Sequence, residues 1–176
     1  DVLLRTEATA INRDARSVTV TDLETGASSE ISYDALVLSP GSTPFRPPIA
    51  GVETAHVLWN LDDMDAVMDT ASRATSAVVV GGGFIGLELA ENLIHRGITT
   101  TLVEALPQLM ATLDSEMAWP LVERARFQGL DVRLSAQVTA ITDSGVTLGD
   151  GSTIEADFTV VAVGARPNTE LAVGAG

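Results

Sequence analysis

Val78-Val79-Val80-Gly81-Gly82-Gly83-Phe84-Ile85-Gly86-Leu87-Glu88-Leu89-Ala90 is the stretch that decides how this chain folds. The β-branched run Val78 to Val80 reads as a buried parallel strand, since an apolar run without alternation belongs to a strand covered on both faces. Gly81, Gly83 and Gly86 then fall on G-x-G-x-x-G. In that pattern the first glycine makes a tight turn, the second admits a pyrophosphate close to the backbone, and the third lets a helix pack tightly on a strand. A helix beginning at such a turn presents its unpaired N–H groups and the positive end of its dipole to an anion. His95 and Arg96 in its last turn, followed by Gly97, mark its end.

Working outward, Ile98 to Val103 reads as a second strand that delivers Glu104, 18 residues beyond Gly86. That is close to the spacing expected for the carboxylate that binds an adenosine ribose 2′-OH. No basic residue follows Glu104 until Arg124. A 2′-phosphate there would face a carboxylate with no local cation to offset it, which favours NAD over NADP. A glycine-rich packing turn in some other βαβ unit is the plainer alternative. Strand, glycines, helix, second strand and acid occurring in order favour a dinucleotide site. Its residues on this reading include Gly81, Gly82, Gly83, Ile85, Gly86 and Glu104.

Composition narrows the remaining classes. The 176 residues suffice for one domain, or one domain plus a piece of another, and a hydrophobic content of 45% can build a core. The formal net charge of −14 speaks against nucleic acid and against an acidic membrane surface as partners. All ten basic residues are Arg, so neither a Schiff-base lysine nor a P-loop lysine is available within the chain. It also holds no Cys, hence no thiolate metal site and no thiol nucleophile. The apolar runs are too short to span a bilayer and no signal peptide is visible, which most simply places the protein in the cytoplasm.

Along the chain, Val2–Arg5 and Ala8–Asn12 have strand character. Ser17–Asp22 alternates, Glu24-Thr25-Gly26 is a turn, and Ser28–Ser32 is a return strand, making a β-meander. Ala35–Leu38 reads as a continuous apolar strand that stops at Ser39-Pro40-Gly41. The two prolines between Phe45 and Gly51, Pro47 and Pro48, mark a linker. A helix is expected over 60–71, where Asp62, Asp63, Asp65 and Asp69 fit dipole complementation and solvent exposure better than a metal site. Another is expected from about Asp114 to Gln128, with Met117, Leu121, Val122, Ala125 and Phe127 as its buried stripe. Pro120 implies that this helix starts late or kinks. Asp131–Leu134 is a third strand, and a second meander runs over 137–155. Phe158–Val163 then leads to Gly164-Ala165-Arg166-Pro167-Asn168.

The two meanders form a repeat. Asp34, Gly41 and Pro44 align with Asp157, Gly164 and Pro167 at a constant offset of 123. The second unit closes a domain that has its glycine fingerprint, whereas the first shows the same closing pattern with no fingerprint before it. A repeat with only its tail implies a head elsewhere. The expectation is an excised piece of a protein with two nucleotide-binding domains, the second nested in the first.

These residues resemble the FAD- and NAD(P)-dependent pyridine nucleotide–disulfide oxidoreductases, in particular the branch of coenzyme A–disulfide reductases, NADH oxidases and NADH peroxidases. The resemblance is carried by Tyr33–Ser42 with Pro44, Gly81–Asn92, Leu113–Ala118 and Gly164–Asn168. It implies an α/β fold: a Rossmann-like dinucleotide-binding domain (parallel sheet with helices, plus a β-meander) joined to a partial FAD-domain β-meander. The expected layout is a partial FAD-domain segment over 1–50, linker and helix over 51–75, the NAD(H)-binding domain over 76–168, and a return toward the FAD domain over 169–176. By resemblance, Phe84 is the aromatic ring over the nicotinamide-facing side of the flavin, Glu88 the acid reaching toward the nicotinamide, and Gly164 a backbone contact to NADH. The resemblance further implies that the first FAD fingerprint, the redox cysteine and the dimerisation domain lie outside this chain. FAD would then be bound only by the full-length protein, a homodimer, and this piece alone would not turn over.

Two other classes stay open. One is a module that senses NAD without chemistry, supported by the lack of any catalytic side chain here. The other is a simple NAD-dependent dehydrogenase, which needs a general acid or base. The candidates are His56, read as a solvated loop residue, and His95, read as pairing with a helix dipole. Neither has a carboxylate spaced to form a dyad, so no residue is assigned a catalytic role and none a metal.

Overall fold

The computed structural model describes residues 1–176, which divide into two compact units, Asp1–Thr43 with Arg166–Gly176 and Pro44–Ala165. The first unit opens with antiparallel strands β1 (Thr6–Asn12), β2 (Ser17–Asp22) and β3 (Ser28–Ser32). The β2–β3 turn closes on Asp22, whose Oδ1 accepts from the N–H groups of Glu24 and Thr25, both at 2.8 Å. Gly26 completes it with a φ of +72°. The chain leaves this unit within β4 (Ser42–Pro44).

The second unit contains α1 (Leu61–Ala71), β5 (Ser76–Val80), α2 (Phe84–His95), β6 (Thr99–Val103), α3 (Ser115–Phe127) and β7 (Asp131–Arg133). The meander β8 (Val138–Thr142), β9 (Gly145–Leu148) and β10 (Thr153–Glu155) precedes β11 (Phe158–Val161). The return to the first unit runs through β12 (Ala165–Pro167) to α4 (Glu170–Gly174).

Strands β11, β5, β6 and β7 form, in that order, a sheet whose three pairings are all parallel. Strand alternation sorts its side chains between two cores. Ala77 and Val79 pack with Val67, Leu89, Leu93 and Val122 on the helical face. Val78 and Val80 pack with Val138, Ile141 and Val146 on the meander face. The mixed α/β architecture is therefore the expected one, and Val78–Val80 is covered on both sides as its composition requires.

The offset of 123 in the sequence is visible in space. Strand β4 pairs with β12, residues 42–44 against 165–167, the same positions of the two repeats. Asn168 N–H donates to the Gly41 carbonyl at 3.0 Å, and Phe45 N–H donates to the Gly164 carbonyl at 2.9 Å. Each of these bonds is the other's counterpart under the offset, so the pairing is antiparallel and locally two-fold.

Three expectations are corrected. Val2–Arg5 precedes β1 and is not a strand; Val2, Leu3 and Leu4 are exposed. Ala35–Leu38 is not a strand either, and Val37 is 89% exposed. Its counterpart under the offset is β11, which is fully buried because β5 takes its backbone bonds and both cores cover its faces. No neighbouring strand does this for Ala35–Leu38. In α3, the buried side chains are Ala118 and Val122, with Ala125 partly covered, whereas Met117, Leu121 and Phe127 are exposed. Small residues let α3 approach the sheet, and that rotates the buried stripe off the bulkier side chains. The helix also starts at Ser115 and continues through Pro120. Pro120 is exposed, so water can take the backbone bond that proline cannot make.

Candidate functional site

The connection from β5 leads to β6 on one side, while β11 lies on the other. Such a switch point leaves a crevice beyond the carboxyl ends of the strands. A cleft of about 630 Å³ opens there, with Gly81–Ile85, Glu104 and Gly164 in its lining. These are seven of the nine residues singled out from the sequence.

Each glycine at the turn meets a different constraint. Gly81 has a φ of +111°, and a Cβ on it would stand 2.5 Å from the Ala162 carbonyl oxygen. A Cβ on Gly82 would stand 2.5 Å from Leu109 Cδ2. At Gly86 it would collide with the Gly81 carbonyl, so this glycine sits at the contact of helix and turn instead of in the cleft. Gly83 differs from all three: its φ is an ordinary −84°, and a Cβ there would meet nothing within 4 Å. The space in front of Gly83 is open.

Gly83 is the N-cap of α2, no side chain caps it, and the first turn carries no acid. Gly83, Phe84 and Ile85 line the cleft, and α2 itself supplies no anion for its first N–H groups. Glu104 stands beside them. Its Oε2 accepts from Gly82 N–H at 2.7 Å and its Oε1 from Leu106 N–H at 2.8 Å. No basic side chain lines the cleft. Arg46, next to the lining residues Phe45 and Pro47, donates instead to the carbonyls of Val52 at 2.7 Å and Ala55 at 2.9 Å.

Glu88 lies outside the cleft. It lines a separate hollow of about 590 Å³ between α2 and α3, and its Oε1 is 3.4 Å from Asn92 Nδ2. Phe84 borders both hollows and is 74% exposed. The walls supplied by Phe45, Pro47, Pro48 and Ile49 and by Ala136, Gln137 and Val138 were not foreseen from the sequence. A proline-rich linker and a strand lead-in carry no motif. The repeat offset was the available signal for Phe45, since it makes Phe45 the counterpart of Asn168 in the Gly164–Asn168 motif.

Neither histidine lines the cleft. His56 is not a solvated loop residue. It is partly buried, its Nε2 lies 3.1 Å from Thr70 Oγ1, and its ring meets Phe158 edge-on. Burial lowers its pKa, the Arg46 charge adds to that, and Asp63 opposes it. Two of the four acids of α1 are engaged locally. Asp63 forms a reciprocal capping box with Asn60, and Asp69 pairs with Arg73 at 3.0 Å. No helix is long and apolar enough to cross a membrane.

Comparison with known proteins places this geometry in context. The family model described as pyridine nucleotide-disulphide oxidoreductase matches residues 1–176. An NADH oxidase of Enterococcus faecalis is 35% identical over 169 residues, covering 92% of this chain and 38% of that protein. Among solved structures, the reduced Bacillus anthracis CoADR-RHD superposes with a TM-score of 0.91 at 36% identity, over 97% of this chain and 32% of that one. The water-forming NADH oxidase from Lactobacillus brevis, solved bound to NADH, superposes with a TM-score of 0.87 at 33% identity, over 96% and 39%. The chain thus spans well under half the length of these relatives.

Proposed function

The chain belongs to the pyridine nucleotide-disulphide oxidoreductase family, and from that premise we propose that its second unit binds NADH and delivers hydride to FAD held by a longer protein. The observation that carries this is the pairing of an open, uncapped helix mouth at Gly83 with the carboxylate of Glu104 in one cleft. The residues fit the coenzyme. Its diphosphate would rest on main-chain N–H groups at Gly83, Phe84 and Ile85, and Glu104 would accept from the adenosine ribose. A second phosphate on that ribose would meet Glu104 with no arginine in the lining to offset it, so NADH is preferred over NADPH.

The flavin supplies the redox chemistry when bound; this chain's share is to bind and orient the nicotinamide coenzyme. Gly164 and Phe84 are the residues proposed to meet the nicotinamide end, and Glu88 would reach it from the neighbouring hollow. The first unit supports the two-domain reading. Ala35–Leu38 corresponds to β11 under the repeat but lacks the strand that β5 provides to β11. A FAD domain completed by chain outside this sequence would supply it, with a disulfide, peroxide or oxygen as final acceptor and a homodimer as the assembly.

Calorimetry with NADH and NADPH tests the proposal. Weak NADH binding that exceeds NADPH binding is expected, and Gly83→Val should abolish it in a folded protein. Equal or tighter NADPH binding, or unchanged affinity in Gly83→Val, refutes it. A protein that only senses NAD would bind in the same way, and flavin absorbance in the full-length protein separates that reading from the oxidoreductase.

A further inference from the structure

We propose that Glu104 is a positioning residue for the diphosphate half of the cleft as well as a partner for the adenosine sugar: it braces the glycine turn before any coenzyme arrives. This rests on the dinucleotide reading given above.

The four polar groups of Glu104 reach three pieces of the sheet's carboxyl edge. Its N–H donates to the Arg133 carbonyl at 2.8 Å, and its carbonyl accepts from Ala136 N–H at 3.0 Å. Its Oε2 accepts from Gly82 N–H at 2.7 Å and its Oε1 from Leu106 N–H at 2.8 Å. One residue therefore ties together the loops that follow β5, β6 and β7. Gly82 is held from its other end too, since its carbonyl accepts from Met110 N–H at 2.8 Å.

The need for a brace follows from composition. Three consecutive glycines have more backbone freedom to lose than any other tripeptide. A turn of that kind binds a diphosphate well only if its N–H groups are already aimed, because ordering it on binding subtracts from affinity. A carboxylate suits both tasks. Each oxygen has two acceptor positions, so after taking one backbone N–H each, Glu104 retains capacity for a sugar hydroxyl. Glutamine has one acceptor oxygen and an NH₂ group, so it would leave either Gly82 or Leu106 facing a donor. Specificity and turn order are thereby coupled: a substitution at Glu104 made to admit a 2′-phosphate also removes the support of the glycine turn.

The test is a cycle of two proteins and two ligands, the 176-residue chain and its Glu104→Gln variant against NADH and its adenosine 2′-deoxy analogue. If Glu104 acted only through the sugar hydroxyl, the variant would bind the deoxy analogue as the parent does. The brace instead makes affinity for the deoxy analogue fall roughly ten-fold. Residue-resolved amide exchange without ligand is the second readout. Gly82 and Leu106 should exchange roughly ten-fold faster in the variant, while Val79 within β5 keeps its protection, a pattern that general destabilisation does not give. Equal affinity for the deoxy analogue, or unchanged exchange at Gly82, overturns the proposal. If the parent chain binds neither ligand, the dinucleotide assignment falls and the exchange measurement still decides the brace. Should Glu104→Gln not fold, Glu104→Asp, which keeps the charge but is one methylene too short to reach both amides, carries the same readouts.

Discussion

Helices α1 and α2 begin in opposite ways. At α1, Asn60 accepts from Asp63 N–H at 2.8 Å, and Asp63 accepts in return from Asn60 N–H at 3.2 Å and Trp59 N–H at 3.1 Å. The first turn also carries Asp62. This helix satisfies its own first donors and its own dipole. At α2, a glycine stands where the cap would be, and no acid follows in the first turn. That helix is held by burial instead: Gly86, Leu89, Ala90 and Leu93 are all covered. One helix end is capped by its own side chains, and the other has no side-chain cap. The contrast separates a start closed within the chain from the start proposed above to bind.

The strongest way to break the contrast is to give α2 the cap that α1 has. Gly83→Asp adds a side chain at an ordinary φ with open space before it. Its carboxylate would accept from the helix N–H groups and occupy the place proposed for the diphosphate. Unfolding free energy should hold or rise by up to about 1 kcal/mol, while NADH affinity falls at least roughly 100-fold, or about 2.7 kcal/mol. Calorimetry and thermal melts measure both, and retained binding would show that the mouth is not the site.

The converse variant is milder. Asn60→Ala removes the α1 cap, and stability should drop by about 1 kcal/mol in urea unfolding, with NADH affinity unchanged. A binding defect there would erase the distinction between the two ends.

The smallest effect concerns the start of a strand fastened by a side chain. Asp157 Oδ2 accepts from Thr75 N–H at 2.7 Å, Thr75 Oγ1 at 2.9 Å and Ser76 N–H at 2.9 Å, fastening the start of β5 to the start of β11. These bonds, those from Thr75 foremost, lower its pKa from 3.8 to about 2. Because the folded form binds this proton less readily than the unfolded chain, the stabilisation is complete above about pH 4 and fades as pH falls toward 2. Asp157→Asn should lower stability near neutrality and flatten the acid limb of the stability profile over that window. Asp22 and Asp150 are shifted in the same direction, so part of the acid slope should persist.

How legible the site was depends on the kind of interaction. Gly81, Gly83, Gly86 and Glu104 were readable because their constraints are local: a backbone turn, a helix start and a strand end in fixed order. The start of α1 was readable for the same reason. The stripe on α3 was misread because helical periodicity gives the spacing of a face but not which way it turns, and the closeness of the sheet selected Ala118 and Val122 over Met117 and Leu121. Ala35–Leu38 was misread because an apolar run becomes a strand only beside a partner. Glu88, assigned by resemblance, lies on the α2 face toward α3 and not in the cleft.

By itself, then, the amino-acid sequence determined the βαβ unit, the repeat with its offset of 123 and the acid at the end of the second strand, since these depend on chain geometry over a few residues. Tertiary structure alone decided that Phe45–Ile49 and Ala136–Val138 wall the cleft, that Arg46 is turned to carbonyls and away from it, and that Glu104 grips the glycine turn. Those facts depend on which loops meet at the carboxyl edge of the sheet. That meeting is set by the order β11-β5-β6-β7, a property of packing that no local spacing encodes.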